Sequence, residues 1–321
     1  MAINVAQPLH RHYRCKLYQR IRQSLALSWR DITMSFNTDR AVAFKSAKLS
    51  VWPIQLTVNE LTVMTRWQHI LLGGLWFSKK HPPLHLLTKS FVKGFNNIGH
   101  ITWCHGSEKM HSFLYTIFCF VDSPARAGLL NMKQYNVYQS CSWFMEYRTL
   151  VEDAEVNGLT SIRISGTVKF PYSGPAQERS HRDVCEDMIE ACTKSRVVNG
   201  INGPTTLIQL RGMNLLWGFL PDYMHAVLEG VTRQLTELWV SCTTGPFYIG
   251  AQIREINSRI CKIRPPIRFP RLPRPLNERA LWKASEWKAF LLFYALPCLS
   301  DITSPVFQAL FYAIPSSVFC Y

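Results

Sequence analysis

Two aspartates that each follow a predicted strand are the residues of this sequence best suited to metal chemistry. Asp39 lies just past an alternating stretch, and Asp122 directly follows an apolar run. If those strands are neighbours in one sheet, both carboxylates lie at the same edge. Two close carboxylates repel each other unless divalent cations lie between them, and two such ions can hold the attacking and leaving oxygens of a phosphoryl transfer. The structural alternative is that Asp39 belongs to a turn and Asp122 to a helix cap.

A second pair with chemical potential is Asp222 and His225. At positions i and i+3 of a helix they share one side, so that the carboxylate can orient the imidazole. The alternative is that Asp222, which follows Pro221, serves only as a negative charge at the helix N-terminus. The sequence does not separate metal, catalytic and capping roles for this pair.

The charge distribution points to a polyanionic partner. Lys and Arg number 36 against 21 acidic residues, which gives a net charge of +15, and nucleic acid is the usual partner of such a protein. The most basic block is Arg254–Lys288, for which the alternative is a solvated linker. Its candidate phosphate contacts, without base specificity, are Arg254, Arg259, Arg264, Arg268, Arg271 and Arg274.

The strands that would position the two acids are predicted from periodicity. Apolar residues alternate with polar ones over 32–37, which is typical of a half-buried strand. Val51–Leu61 is another β-rich stretch, and Ile70–Phe77 is a third run in which Gly73-Gly74 predicts a bulge or a close backbone approach. Phe113–Val121 has the profile of a central strand that is buried on both faces.

Helices are predicted between and after these strands. One has an apolar face formed by Leu87, Phe91, Phe95 and Ile98. Another covers Ala125–Lys133, with Ser123 as N-cap and Pro124 at the first helical position. A third covers Pro221–Val240, and its predicted apolar stripe is Met224, Val227, Leu228, Val231, Leu235, Leu238 and Trp239.

Composition narrows the class of protein. The chain is 47% hydrophobic, enough for a packed core. Its ten cysteines are scattered, and it has no signal-peptide core and no apolar run long enough to cross a bilayer, which predicts a reducing, intracellular setting without a membrane. Phosphate-loop and nucleophile-elbow motifs are absent. Because Cys141, Cys185 and Cys192 lack partners at zinc spacing, we do not expect a structural zinc.

Several ordered blocks of this sequence resemble the transposases of the CACTA (En/Spm-type) family and its animal relatives. They cover roughly residues 30–310 and include Phe36–Asp39, Ser50–Ile54, Ile70–Phe77, Asp122–Ala127, Asn131–Asn136, Asp222–His225 and Trp282–Trp287. The resemblance implies an α/β, RNase H-like mixed sheet with flanking helices, a helical insertion and a truncated C-terminus. It also implies a nuclear enzyme of transposable-element DNA recombination, with DNA as partner and Mg²⁺ or Mn²⁺ as cofactor if active. A homo-oligomer is a further possible partner arrangement.

By position, Asp39 and Asp122 resemble the first two acids of the family's Asp, Asp, Glu set, and Asp222 with His225 resembles its Asp/Cys-x-x-His signature. The implied organisation is a basic arm (1–30), a core (31–150), an irregular linker or insertion (151–205), and a helical insertion region with the basic, proline-rich segment (206–321), incomplete at its C-terminus.

Three departures from the family pattern favour a protein impaired in catalysis. Arg40 stands where the family has Gly, Phe144 breaks the Cys-x-x-Cys that would begin at Cys141, and the third acid is missing because neither Glu229 nor Glu286 is at its place. The expected function is therefore that of a transposase-derived DNA-binding protein. The alternatives are an active two-metal nuclease whose third acid comes from elsewhere, such as Glu286 or a partner chain, and a non-enzymatic relic or scaffold.

Overall fold

The computed structural model of the protein describes residues 16–44, 49–134, 140–145, 163–164, 167–168, 177–245, 247–267, 269–303, 309 and 313. The chain divides into two compact units, Met1–Leu220 and Pro221–Tyr321. None of the helices in the described ranges combines the length and apolarity that a bilayer span requires.

The first unit alternates strands and helices. Its strands are β1 (Ile32–Thr38), β2 (Ala41–Phe44), β3 (Leu49–Val58), β4 (Leu71–Ser78), β5 (His100–His105), β6 (Glu108–Val121), β7 (Phe144–Met145), β8 (Arg163–Ile164), β9 (Thr167–Val168), β10 (Gln177–Glu178) and β11 (Phe219–Pro221), the last of which ends at the unit boundary. Its helices are α1 (Lys16–Ser24), α2 (Val63–Gln68), α3 (Leu84–Ile98), α4 (Ser123–Leu129), α5 (His181–Lys194) and a short 3₁₀ helix (Thr206–Gln209).

The main sheet is mixed, with the strand order β11-β6-β1-β3-β2, while β4 also pairs with β3 and β5 with β6. The strands β1, β3 and β4 are antiparallel neighbours in turn, whereas β6 returns parallel to β1 after helix α3. The fold is therefore mixed α/β, as predicted, with helices flanking the sheet.

The predicted strand and helix patterns are largely confirmed. Gly73 lies where a Cβ would come within 2.8 Å of Leu56 and 3.1 Å of Phe91, and the β3–β4 register shifts at this point. Both readings of the Gly-Gly pair thus hold: a bulge and a close approach of α3 to the sheet. Leu87, Phe91 and Phe95 are buried on α3.

Four local predictions are wrong. The strand β1 is not half-buried, because Thr33 and Ser35 are also buried, under the hydrogen-bonded side chains of Asn59 and Glu60. Ile98 is 51% exposed because α3 ends there. In β6 both Phe113, near the middle of the strand, and Phe120, near its end, are exposed, so the predicted stretch is not buried on both faces throughout. The fourth concerns the start of α4.

The N-cap of α4 is Asp122 and not Ser123. The Asp122 carboxylate accepts a hydrogen bond from the Ala125 backbone N–H, so Ser123 and Pro124 both lie inside the first turn. An aspartate is as good an N-cap as a serine, and the sequence offers both residues in succession. The helix ends at Leu129 rather than Lys133.

Residues 177–205 are packed into the first unit, where the sequence predicts an irregular linker or insertion. The helix α5 begins with a capping box between Ser180 and Asp183 and buries Val184 and Met188 in the same core as β1 and β3. A hydrogen-bonded ion pair between Arg179 and Asp187 lies against it.

The second unit is helical and has a hydrophobic core of its own. Its elements are a π-helix (Met224–Thr232), α6 (Arg233–Ser241), a 3₁₀ helix (Gly250–Gln252), α7 (Ile253–Lys262), a 3₁₀ helix (Leu276–Leu281), α8 (Ala284–Ala289), a π-helix (Phe290–Tyr294) and α9 (Ala295–Leu299).

The predicted helix over 221–240 is present, but its apolar stripe is displaced. Met224, Val231 and Leu238 are exposed, and the buried positions are Leu228, Thr232, Thr236 and Trp239. The physical reason is the π-helix Met224–Thr232: its turns are wider than 3.6 residues, which rotates the later residues away from the positions that a regular helix predicts.

The basic block is not a solvated linker where it is described. Ile256 and Ile260 of α7, Leu276, Trp282 and Trp287 are all buried in the core of the second unit. The eight described cysteines are free thiols.

Candidate functional site

The carboxyl ends of β1 and β6 meet at one edge of the main sheet. These strands are parallel neighbours, and their register pairs Asn37 with Phe120. Asp39 and Asp122 each follow two residues later, so they stand level with each other at the ends of adjacent strands. Neighbouring strands are about 4.8 Å apart. The condition that the two strands adjoin is met, and their ends place Asp39 and Asp122 level with each other.

Asp122 is partly engaged by the fold. Its Oδ1 accepts the Ala125 N–H at 2.8 Å, which confirms the capping alternative for this residue. Its Oδ2 makes no hydrogen bond with any described residue. Capping therefore uses one oxygen and leaves the other for a second partner.

Asp39 is exposed at the end of β1. Its Oδ1 accepts the backbone N–H of Arg40 at 2.6 Å, which is a turn-like contact. The Arg40 guanidinium instead donates from Nε to Ser50 Oγ of β3 at 2.8 Å. The Arg40 side chain is thus held on the neighbouring strand and forms no ion pair with Asp39.

The oxygen atoms at this edge of the sheet are of the type that binds a hard divalent cation. Carboxylate oxygens are the ligands that Mg²⁺ and Mn²⁺ prefer, and Asp39 and Asp122 supply them. In number the fit is partial: within the described ranges, no group of three or more His, Cys, Asp or Glu side chains could hold a metal ion. An ion here would rely on water for the rest of its coordination.

Glu286 is the acid that was considered as a possible third metal ligand. Its carboxylate is already hydrogen-bonded within the second unit. It is buried and accepts hydrogen bonds from Arg274 Nε at 2.6 Å and Nη2 at 3.0 Å, and from the Lys283 N–H at 2.8 Å. Burial opposes its charge, but the hydrogen bonds from Arg274 and Lys283 outweigh this and lower the pKa of Glu286. Freeing it for a metal would leave the Arg274 cation without its bidentate partner.

Asp222 and His225 form the predicted side-chain contact. The His225 Nδ1 lies 2.6 Å from Asp222 Oδ2, and the same oxygen accepts the His225 backbone N–H at 2.9 Å. Asp222 thus orients the imidazole and also satisfies a donor at the helix start, so both sequence interpretations of this residue hold. These two residues belong to the second unit and the two acids above to the first.

The segment that carries His225 is a π-helix, Met224–Thr232. Such segments are frequent at functional sites. Gly230 is required by this geometry, because a Cβ there would lie 2.7 Å from the His225 carbonyl oxygen. The position of the imidazole therefore depends on a local distortion that helical periodicity does not predict.

The arginines that are candidate phosphate contacts differ in whether a carboxylate of the protein already pairs with them. Arg259 is paired with Glu255 and Asp301, and Arg274 with Glu286 and Glu278. Arg264 donates to backbone carbonyls, and Arg271 lies 3.8 Å from Glu286. Arg254 is exposed and has no partner among the described residues; Arg268 lies outside them. The positive charge that is not paired with a carboxylate is thus smaller than the number of arginines in this block suggests.

Arg126 is a residue that the sequence analysis did not single out. It stands four positions after Asp122, one helical turn along α4, and burial lowers the pKa of its guanidinium. The signal that could have found it is this i,i+4 spacing from a candidate acid.

No model of a protein family matches the chain, and no curated protein matches it.

Proposed function

We propose that this protein is a transposase-derived, DNA-binding protein of the nucleus, impaired in catalysis. Its first unit would be an RNase H-like domain that descends from a metal-dependent enzyme of DNA cleavage and strand transfer. The proposal joins the resemblance to CACTA transposases with the arrangement of the mixed sheet. Its partner would be DNA.

The observation that carries the proposal is the level placement of Asp39 and Asp122 at the ends of adjoining parallel strands. In open α/β sheets, ligands bind at the carboxyl ends of strands. The order of elements supports the ancestry as well: β1, β2, β3 and β4 form an antiparallel series, and after α3 and β5 the strand β6 returns parallel to β1. An acid at the end of the first strand and one at the end of the parallel strand is the placement that the resemblance requires.

The same site supports impairment. A bound Mg²⁺ or Mn²⁺ would supply Lewis-acid polarisation of a phosphate oxygen. Asp39 and Asp122 would hold it with two carboxylates only, and Asp122 already gives one oxygen to Ala125. Glu286 is bound by Arg274. Loss of one ligand from a two-metal site lowers the rate by orders of magnitude, because the oriented carboxylates supply the metal affinity.

DNA binding rests on the net charge of +15 and on the exposed cations. Arg254 and Arg264 on the surface of the second unit have no carboxylate partner among the described residues. Contacts of this kind neutralise phosphates and carry no base specificity.

The binding test is fluorescence anisotropy with a short DNA duplex over a series of salt concentrations. Phosphate contacts release counterions, so log K should fall linearly with log salt, by a slope of about −0.9 per contact. The double variant Arg254→Gln/Arg264→Gln should show a shallower slope. The variant Arg259→Gln should change the slope less, because Arg259 is already paired with Asp301. If the wild-type protein does not bind DNA even at low salt, the proposal fails and the alternative of a non-enzymatic relic or scaffold is supported.

The cleavage test uses supercoiled plasmid with Mg²⁺ or Mn²⁺. We expect nicking no faster than that of the Asp39→Asn/Asp122→Asn double variant. Robust cleavage that Asp39→Ala abolishes would establish an active nuclease in place of an impaired one.

A further inference from the structure

A small recess lies beside Asp122, between α4 and the segment 140–143. Two cationic side chains, Arg126 and Lys133, and three hydroxyl side chains line it together with Ala127, Leu130 and Met132; the hydroxyls belong to Ser123, Ser140 and Ser142. The lining includes no carboxylate. Cations and hydroxyl donors without an acid are the chemistry that recognises an oxyanion.

Arg126 is the first sign that a partner belongs in this recess. Its guanidinium carbon lies 3.9 Å from the centre of the Trp143 ring, and its Nη2 donates to Ser123 Oγ at 3.3 Å. Asp122 acts on it electrostatically but forms no ion pair with it, and no other described carboxylate does. Buried charges in proteins are normally paired. Among the described residues, the direct contacts of this half-buried cation are a ring and a neutral hydroxyl, and Asp122 acts on it at longer range.

Ser142 is the second and independent sign. The residue is 6% exposed, and its Oγ has no hydrogen-bond partner in the part of the chain that the structure describes. An unsatisfied buried hydroxyl is destabilising, so such groups in folded proteins usually have a ligand or water. This hydroxyl and the Arg126 guanidinium line the same recess.

We propose that this recess is an oxyanion-binding site that receives one phosphate group, with Arg126, Lys133 and Ser142 as its ligands. It deepens the proposed function, on which it rests for the source of the phosphate: a DNA backbone held here would lie next to Asp122.

The test compares inorganic phosphate with a short DNA duplex as ligands of the full chain. Phosphate binding is followed by the rise in thermal midpoint and by calorimetry, and duplex binding by anisotropy with and without competing phosphate. The variants are Ser142→Ala, which removes only the unpartnered hydroxyl, and Lys133→Gln on the exposed rim. Lys93→Gln, on the exposed face of α3, is the charge-matched control.

We expect Ser142→Ala and Lys133→Gln each to weaken phosphate binding about tenfold, since a hydrogen bond or charge to an anion is lost, and Lys93→Gln to leave it unchanged. Parallel losses in duplex binding support DNA as the source. If the two variants lose phosphate binding but keep duplex binding, DNA is not the source of the phosphate, and the oxyanion site itself stands. A wild type that binds phosphate but no duplex contradicts the proposed function only. Wild-type phosphate affinity in both variants, or equal loss in Lys93→Gln, overturns the site.

Discussion

Asp122 shows at the residue scale how one carboxylate can have both a structural and a chemical role. Its Oδ1 caps α4, and its Oδ2 is directed to no described partner. The two roles respond differently to substitution, because asparagine keeps the carbonyl oxygen that accepts the Ala125 N–H but loses the charge that holds a cation. Stability and metal affinity can therefore be separated at this residue.

Asp122→Ala should lower the free energy of unfolding by about 1 kcal/mol, the usual cost of losing an N-cap. Asp122→Asn should stay close to wild type, since asparagine is an equally good cap. Urea denaturation followed by circular dichroism measures both. Equal stability of the Ala variant and the wild type would show that the Asp122–Ala125 hydrogen bond contributes nothing.

Glu237 carries a second prediction at this scale. Hydrogen bonds from Arg279, with a smaller contribution from Ser241, lower the pKa of Glu237 from 4.5 to about 2. Because its folded pKa is depressed, the stabilisation is present above pH 4.5 and is lost as the pH falls towards 2. Both partners are solvent-accessible, so the contribution is at most about 1 kcal/mol.

The measurement is a carbon NMR titration of the Glu237 carboxyl. In Arg279→Gln its pKa should return towards 4.5, the ordinary value. Arg233→Gln is the control, since Arg233 acts on Glu237 through its charge and with the smallest of the effects that lower this pKa. An unchanged titration in Arg279→Gln would mean that the ion pair between α6 and the 3₁₀ helix Leu276–Leu281 is absent in solution.

At the scale of elements, two glycines in helices have opposite roles. Gly94 lies on the exposed face of α3, where an added Cβ would meet nothing within 4 Å. Gly230 lies in the π-helix Met224–Thr232, where an added Cβ would lie 2.7 Å from the His225 carbonyl. The same substitution should therefore have opposite signs at the two positions.

Gly94→Ala should raise the free energy of unfolding by up to about 1 kcal/mol, because alanine has the higher helix propensity. Gly230→Ala should lower it by about 1–3 kcal/mol, because the clash is with backbone and forces the turn to shift. Thermal denaturation of both variants is the measurement. A Gly230→Ala protein as stable as wild type would indicate that this segment is a regular helix.

Elements were predictable where the signal is local. Strand periodicity located β1, β3 and β4, and i,i+3 spacing identified the contact between Asp222 and His225. The displaced stripe after Met224 was not predictable, because a π-helix changes the phase on which the periodicity argument depends. The cap of α4 was missed by one residue since Asp122 and Ser123 are both good caps.

At the scale of the whole molecule, the candidate site depends on pairing between distant segments. The pattern of each strand gives its position but not its neighbour, and the β1–β6 register that sets Asp39 level with Asp122 follows from the packing of the complete sheet. The recess around Arg126 and Ser142 likewise joins α4 to a segment that follows it at some distance. Neither arrangement has a sequence signature.

Net charge belongs to this scale as well. The arginines of the second unit show why a count of basic residues overstates the surface available to DNA: Arg259, Arg274 and Arg279 are held by Asp301, Glu286 and Glu237. The salt dependence of DNA binding is therefore expected to reflect a few exposed cations rather than the full excess of +15.

The most direct test of the account is Mn²⁺ binding by the full chain, measured by electron paramagnetic resonance. If Asp39 and Asp122 share one ion, wild type binds a single Mn²⁺ weakly, and Asp39→Asn and Asp122→Asn each reduce the affinity at least about tenfold. Glu186→Gln, which removes an exposed carboxylate on α5, should bind as wild type does. Wild-type affinity in either Asn variant, or no Mn²⁺ bound by the wild type, would contradict a metal site at these strand ends.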